Sequence, residues 1–206
     1  MESFFQLLVV GIGLGCIYCL VAIEYTLIWK ASGLINFAHE RFIMLGAYIF
    51  AGTCILKLNI PVIPAILVLF ALMGIFGIIV AGTIFIPLSR MDSNIYAVMG
   101  TIMLGKILAE VARLIWGPAP YNLPSFIKGS YYLGDISISK VYVIIMITTV
   151  LLMLFINILF KRTKLGKAMQ CVAVDKVAAS LMGINVNKNI AITVGLSSII
   201  CSIIGI

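Results

Sequence analysis

The chain has 206 residues, of which 63% are hydrophobic and 10% charged, with a mean hydropathy of +1.23 and a formal net charge of +7. A soluble domain keeps roughly a quarter of its residues charged, so the composition excludes one and describes an integral membrane protein. The basic residues cluster at the ends of apolar runs, which fits orientation in a bilayer better than binding to nucleic acid. One histidine and seven acidic residues supply neither a catalytic triad nor a metal cluster. We therefore expect no enzyme, metal or cofactor.

A spanning helix needs about 20 apolar residues to cross a hydrocarbon core of roughly 30 Å. The first candidate is 4–29. It follows Glu2 with no basic residue and no cleavage site, so a retained helix is expected. The second is interrupted, with a mixed stretch over 31–41 followed by an apolar run over 42–56. The third, 60–86, opens on Pro61 and Pro64, which suit a first helical turn. The fourth is 95–116 and the fifth 141–160. The sixth, 190–206, reaches only about 26 Å at 1.5 Å per residue. The expected fold is an all-α polytopic membrane protein forming one transmembrane domain over 1–206. It has five full spans plus a partial sixth, with a broken second helix. Because the chain stops inside a helix, a fragment or shortened reading frame is expected.

Orientation follows from the basic residues. The longest polar interval, 161–189, carries Lys161, Arg162, Lys164, Lys167, Lys176 and Lys188 against one acid, Asp175. Placing it inside also places Lys30, Arg41 and Arg90 inside and the N-terminus outside, leaving Lys57, Lys128 and Lys140 outside. The outer loop 117–139 bears Pro118, Pro120, Pro124, Tyr121, Tyr131 and Tyr132. It suits contact with something delivered from outside, or an interfacial aromatic belt. Cys16 and Cys19 form a C-x-x-C, but within an apolar run packing explains them better than redox chemistry. Gly11, Gly13, Gly15, Gly74, Gly77 and Gly82 suit close helix contacts.

Three constellations stand out. Within 161–189, apolar residues recur at helical spacing between Gly166 and Gly183, so a short amphipathic helix at one membrane face is expected. A solvated basic loop that only fixes topology is the alternative. In 32–41, Gly33, Asn36, Phe37 and the single histidine, His39, fall in the break between apolar runs. Non-helical backbone at membrane depth survives only beside protein or a water-filled cavity, and broken helices are how transporters expose backbone to a solute. An ordinary inner loop is the other reading. Finally, Glu24, Lys106, Glu110 and Arg113 are charges inside apolar runs, where they face a cavity or one another. The spacing allows Lys106–Glu110 and Glu110–Arg113 pairs on one face.

The stretch GLINFAHERFIMLGAYIF, preceded by AIEYTLIWKAS, closely resembles the N-terminal part of branched-chain amino acid ABC transporter permeases of the LivH type. The resemblance continues through IPLSR, TIMLG and TKLGKAMQCVAVDKVAASLMGIN. It implies a pore-forming subunit of an ATP-driven importer in a bacterial or archaeal inner membrane. Its partners would be a second homologous permease, two cytoplasmic ATP-binding subunits, an extracytoplasmic solute-binding protein and the surrounding lipid. The chain has no G-x-x-x-x-G-K-S/T loop, so ATP hydrolysis would fall to a partner.

The resemblance further implies a substrate pathway at Gly33, Asn36, Phe37 and His39. It implies ATPase coupling through Gly166, Ala168, Met169, Val172, Asp175, Ala178, Leu181 and Gly183. Departures accompany it: relatives usually carry glycine at the positions of Glu24 and Glu40, and an acid at that of Val174. A permease for urea or short amides, a truncated remnant, and an ion-coupled carrier or channel using Glu24 and the Lys106–Glu110–Arg113 set are the competing readings.

Overall fold

The computed structural model describes residues 2–56, 58, 61–91, 94–118, 130–133 and 136–206. Helix α1 (Glu2–Ser32) is one uninterrupted apolar rod without proline. After a non-helical stretch, α2 (His39–Ala47) continues as π-helical turns over Tyr48–Ile55. Helix α3 (Val62–Val80) starts after Pro61 and passes through a second π stretch, Ala81–Phe85, into the short α4 (Ile86–Leu88). Helix α5 (Asn94–Trp116) follows. A two-stranded antiparallel hairpin, β1 (Ser130–Leu133) and β2 (Ile136–Ser139), then leads into α6 (Lys140–Arg162). Next come α7 (Lys164–Val174), α8 (Lys176–Leu181) and α9 (Val186–Ile204). Lys57, Pro120, Tyr121, Pro124 and Lys128 of the sequence reading lie outside the described residues.

Among the described residues, five helices are long and apolar enough to cross a membrane: Leu7–Ser32, Val62–Leu88, Ile95–Trp116, Lys140–Arg162 and Val186–Ile204. This is an all-helical polytopic membrane fold apart from the hairpin. The second segment is broken, as its mixed composition suggested, and resumes as a helix only at His39. The last helix is longer than its apolar run. Asn185 caps it by accepting a hydrogen bond from the Lys188 amide at 3.0 Å, which draws Val186–Asn189 into the first turn.

Helix α9 is the centre of the bundle. Its broadest contact is with α3, and α1 and α2 also pack on it. The α3–α9 crossing is close because both partners are small there. A Cβ on Gly77 would sit 2.8 Å from the Gly195 Cα and the Val194 carbonyl oxygen. Such small-on-small crossings let backbones approach and gain dispersion where lipid supplies no hydrophobic drive. Gly11 and Gly15, by contrast, meet nothing within 4 Å among the described residues, so their spacing serves no contact there.

One apolar cluster joins the break, α2, α3, α5 and α9 through Leu34, Phe42, Phe85, Leu104 and Val194. A second joins α1, α6, α7 and α9 through Leu27, Leu159, Met169 and Ile200.

Candidate transport pathway and coupling segment

The break begins where α1 meets α7. Gly33 adopts φ +67°, and a Cβ there would lie 3.2 Å from the Ala173 carbonyl oxygen, so both the turn and the contact favour glycine. From there the chain descends into the bundle. Leu34, Asn36 and Ala38 are buried. The Phe37 amide donates to Thr101 Oγ1 on α5 at 3.3 Å. At the start of α2, the carbonyl of His39 lies beside Cys201 Sγ, about 22 Å along α9 from Val186 at 1.5 Å per residue. The α2 N-terminus therefore opens deep within the bundle.

Buried backbone polar groups need partners, and here side chains supply several. The Leu34 amide donates to Ser32 Oγ at 3.2 Å and the Ala38 amide to Asn36 Oδ1 at 2.9 Å. His39 Nδ1 is 3.1 Å from the Asn36 carbonyl oxygen. A carbonyl only accepts, so Nδ1 is the donor in this contact. Tyr25 packs edge-on to the His39 ring, with centroids 5.3 Å apart.

Beside the break runs a polar seam between α1 and α9. Glu24, fully buried, accepts a hydrogen bond from Ser197 Oγ. Thr193, Ser197, Ser198 and Ser202 line the buried face of α9. Glu24 Oε2, Asn36 Nδ2 and Asn189 Nδ2 are buried without a hydrogen-bond partner. Orphan polar atoms of this kind mark places where water or a solute belongs.

Of the expected pathway residues, Gly33, Asn36 and His39 are held by this break, whereas Phe37 is 46% exposed. The intramembrane charges do not form one set. Lys106, Glu110 and Arg113 lie on the exposed face of α5, with Arg113 Nε 3.5 Å from Glu110 Oε2, while Glu24 is inside. The polar face of α9 was missed by sequence reading. Its signal was the i,i+4 pair Thr193–Ser197 and a mean hydropathy of 1.4, against 2.8 for the spans of α3 and α6.

At the other end of the break, the expected single helix over 166–183 is two helices. Asp175 separates them because its carboxylate accepts from the amides of Val177 at 2.8 Å and Ala178 at 3.0 Å, which makes it the N-cap of α8. Thr163 caps α7 in the same way, through the Gly166 amide at 2.9 Å. Gly166 is buried against the Leu159 carbonyl, where no side chain fits. Gly183, at φ +82°, ends α8.

The faces divide cleanly. Met169 and Val172 are fully buried in the bundle, whereas Val174, Val177, Leu181 and Met182 are 66–88% exposed. Between α7 and α8 lies a groove of about 590 Å³ lined by Lys167, Gln170, Asp175, Ala178 and Met182 among others. Lys176 Nζ donates to the Ser89 carbonyl oxygen at 3.2 Å, tying α8 to the end of α4, and burial lowers its pKa from the usual lysine value.

Residues 7–206 match the family described as branched-chain amino acid transport system permease component. The chain belongs to this family. It is 29% identical to the high-affinity branched-chain amino acid transport system permease LivH of Salmonella typhimurium, over 98% of this chain and 70% of that protein. It is 29% identical to the permease BraD of Pseudomonas aeruginosa, over 92% of this chain and 66% of that protein. LivH of Escherichia coli is 28% identical over 98% of this chain and 70% of its own length. No solved structure matches the chain significantly. The relatives are transport subunits, and the spanning helices make this a multi-pass membrane protein.

Proposed function

We propose that the chain is a permease subunit of an ATP-driven importer for branched-chain amino acids. It would sit in the inner membrane with its N-terminus outside and pair with a second permease. The observation that carries the coupling half of this reading is the two-faced α7–α8 ledge. One face, Met169 and Val172, is sunk in the bundle, and the other, Val174, Val177, Leu181 and Met182, is apolar and exposed beside a groove. An exposed apolar patch rimmed by polar residues suits a protein partner, here the cytoplasmic ATPase.

Motion of the ledge has a short route into the pathway. Helix α7 touches Gly33 at the head of the break, and α8 holds the end of α4 through Lys176. A tilt of the ledge on nucleotide binding would therefore displace the backbone that leads to Asn36 and His39. The α2 N-terminus offers its positive dipole end to a substrate carboxylate at depth, with His39 Nε2 and Asn36 Nδ2 as further polar groups. The apolar clusters on either side suit an aliphatic side chain.

Co-purification tests the reading. The intact chain, expressed with its ATPase and sister permease, should retain the ATPase, and V174D/L181D should lose it while still reaching the membrane. Equal retention by both rules out docking at this ledge.

A second reading, a permease for urea or short amides, draws on the orphan Glu24 Oε2, Asn36 Nδ2 and Asn189 Nδ2, which offer both acceptor and donor to a small neutral polar solute. Uptake of labelled leucine against labelled urea in reconstituted vesicles separates the two.

A further inference from the structure

Helices α1 and α6 leave between them a groove of about 540 Å³ that opens sideways from the bundle. Its length is walled by apolar side chains, among them Ile23 and Leu27 of α1 and Leu154 and Phe160 of α6. Its charged groups lie at one end, where Lys30 falls in the last turn of α1, Lys161 in the last turn of α6 and Gln170 reaches over from α7, with Thr26 and Asn157 about one turn further in. Among the described residues no acidic side chain lines it. Both lysines are exposed, and Trp29 beside Lys30 is 55% exposed, the position of an interfacial aromatic at headgroup level.

From Cys19 to Lys30 the groove runs about 16 Å along α1 at 1.5 Å per residue, close to half of a roughly 30 Å hydrocarbon core. An apolar channel one leaflet deep with two cations at its mouth complements one ligand class in charge and in length. We propose that this groove is a binding site for an anionic phospholipid. One acyl chain lies along α1 and α6, and the phosphate sits between Lys30 Nζ and Lys161 Nζ with Gln170 as an additional donor. Basic recesses between spanning helices at the membrane face recognise anionic headgroups in this way. The inference rests on the membrane-spanning fold and is independent of which solute is carried. Because Gln170 belongs to α7, the lipid would bridge the ledge to the bundle.

Native mass spectrometry of the chain in mild detergent, with phosphatidylglycerol or phosphatidylcholine of identical acyl chains, tests it. Wild type should retain phosphatidylglycerol preferentially, and K30Q/K161Q should lose the preference. At about fivefold per lysine near an anionic headgroup, the double variant should bind about thirty-fold more weakly. K164Q/K188Q, which removes the same charge outside the groove, should bind as wild type does. A22W, which fills the groove with both lysines intact, should exclude the lipid. Equal retention of the two lipids by wild type overturns the assignment, as does undiminished phosphatidylglycerol binding by K30Q/K161Q. So does a dimer that excludes lipid and is abolished by A22W, since the occupant would then be a second copy of the chain.

Discussion

Met169 is the pin that fixes α7 to the bundle, and its truncation should loosen the ledge without unfolding the membrane helices. It is fully buried and packs with Leu27, Ile28, Phe160 and Ile200 from α1, α6 and α9. Met169→Ala removes three heavy atoms. At about 0.8 kcal/mol per buried methylene-sized group this is about 2.4 kcal/mol, and the cavity left behind places the total in the usual range of about 2–5 kcal/mol.

The loss falls on local opening of α7, because the spans of α1, α6 and α9 keep their other contacts. Amide hydrogen exchange over Lys164–Val174 reads that opening directly. A loss of even 2 kcal/mol accelerates exchange by about 30-fold. Met169→Leu conserves volume and should stay within about 1.5 kcal/mol of wild type. Val174→Ala, on the exposed face, should change nothing beyond about 0.5 kcal/mol. The same M169A protein should lose ATPase-driven uptake in vesicles while its amount in the membrane is maintained. If α7 in M169A exchanges within threefold of wild type, the ledge is not anchored through this side chain and the proposed route from ledge to break fails.

Three further outcomes follow from the geometry. Gly77→Leu drives a side chain into Gly195 and Val194 at the α3–α9 crossing and should destabilise the detergent-solubilised chain by about 1–3 kcal/mol. Gly11→Leu, which meets nothing, should be neutral in the same unfolding titration. Asp175→Ala removes the acceptor for the Val177 and Ala178 amides and should cost α8 about 1 kcal/mol. Asp175→Asn should restore most of it, as read by exchange over Lys176–Leu181. Ser197→Ala removes the hydroxyl that donates to buried Glu24 and should cost about 1–3 kcal/mol, whereas the paired change E24L/S197A should be much closer to wild type.

The membrane-spanning segments and the break were legible because each rests on a local rule. Long apolar runs become helices wherever water is absent, since every backbone group must be satisfied within the segment. Gly33 and Asn36 interrupt such a run whatever lies beside them, one by its positive φ and the other by its side-chain bond to the Ala38 amide. The extent of α9 was less legible. Its first turn, Val186–Asn189, is polar and is helical because Asn185 caps it. Asp175 was expected only as the one acid of the coupling segment, yet its two amide bonds split the expected helix in two. That capping role was available from the sequence and was obscured by apolar spacing that carries across the junction.

What the sequence by itself determined is therefore the class of molecule, the order of its helices and the family to which it belongs, since composition, run length and motif spacing are properties of the chain alone. Only the tertiary structure decided which faces meet. It made the last helix, the least hydropathic of the five spans, the hub, because small residues on α3 and α9 allow a close crossing, and it buried the serine and threonine face. It separated Glu24 from Lys106, Glu110 and Arg113, which spacing along the chain could not do, because a charge's cost depends on what lies around its helix. It also divided the ledge into a buried face and an exposed one and brought Lys30 and Lys161, residues that share no local pattern, to the lining of one groove because α1 and α6 pack against each other.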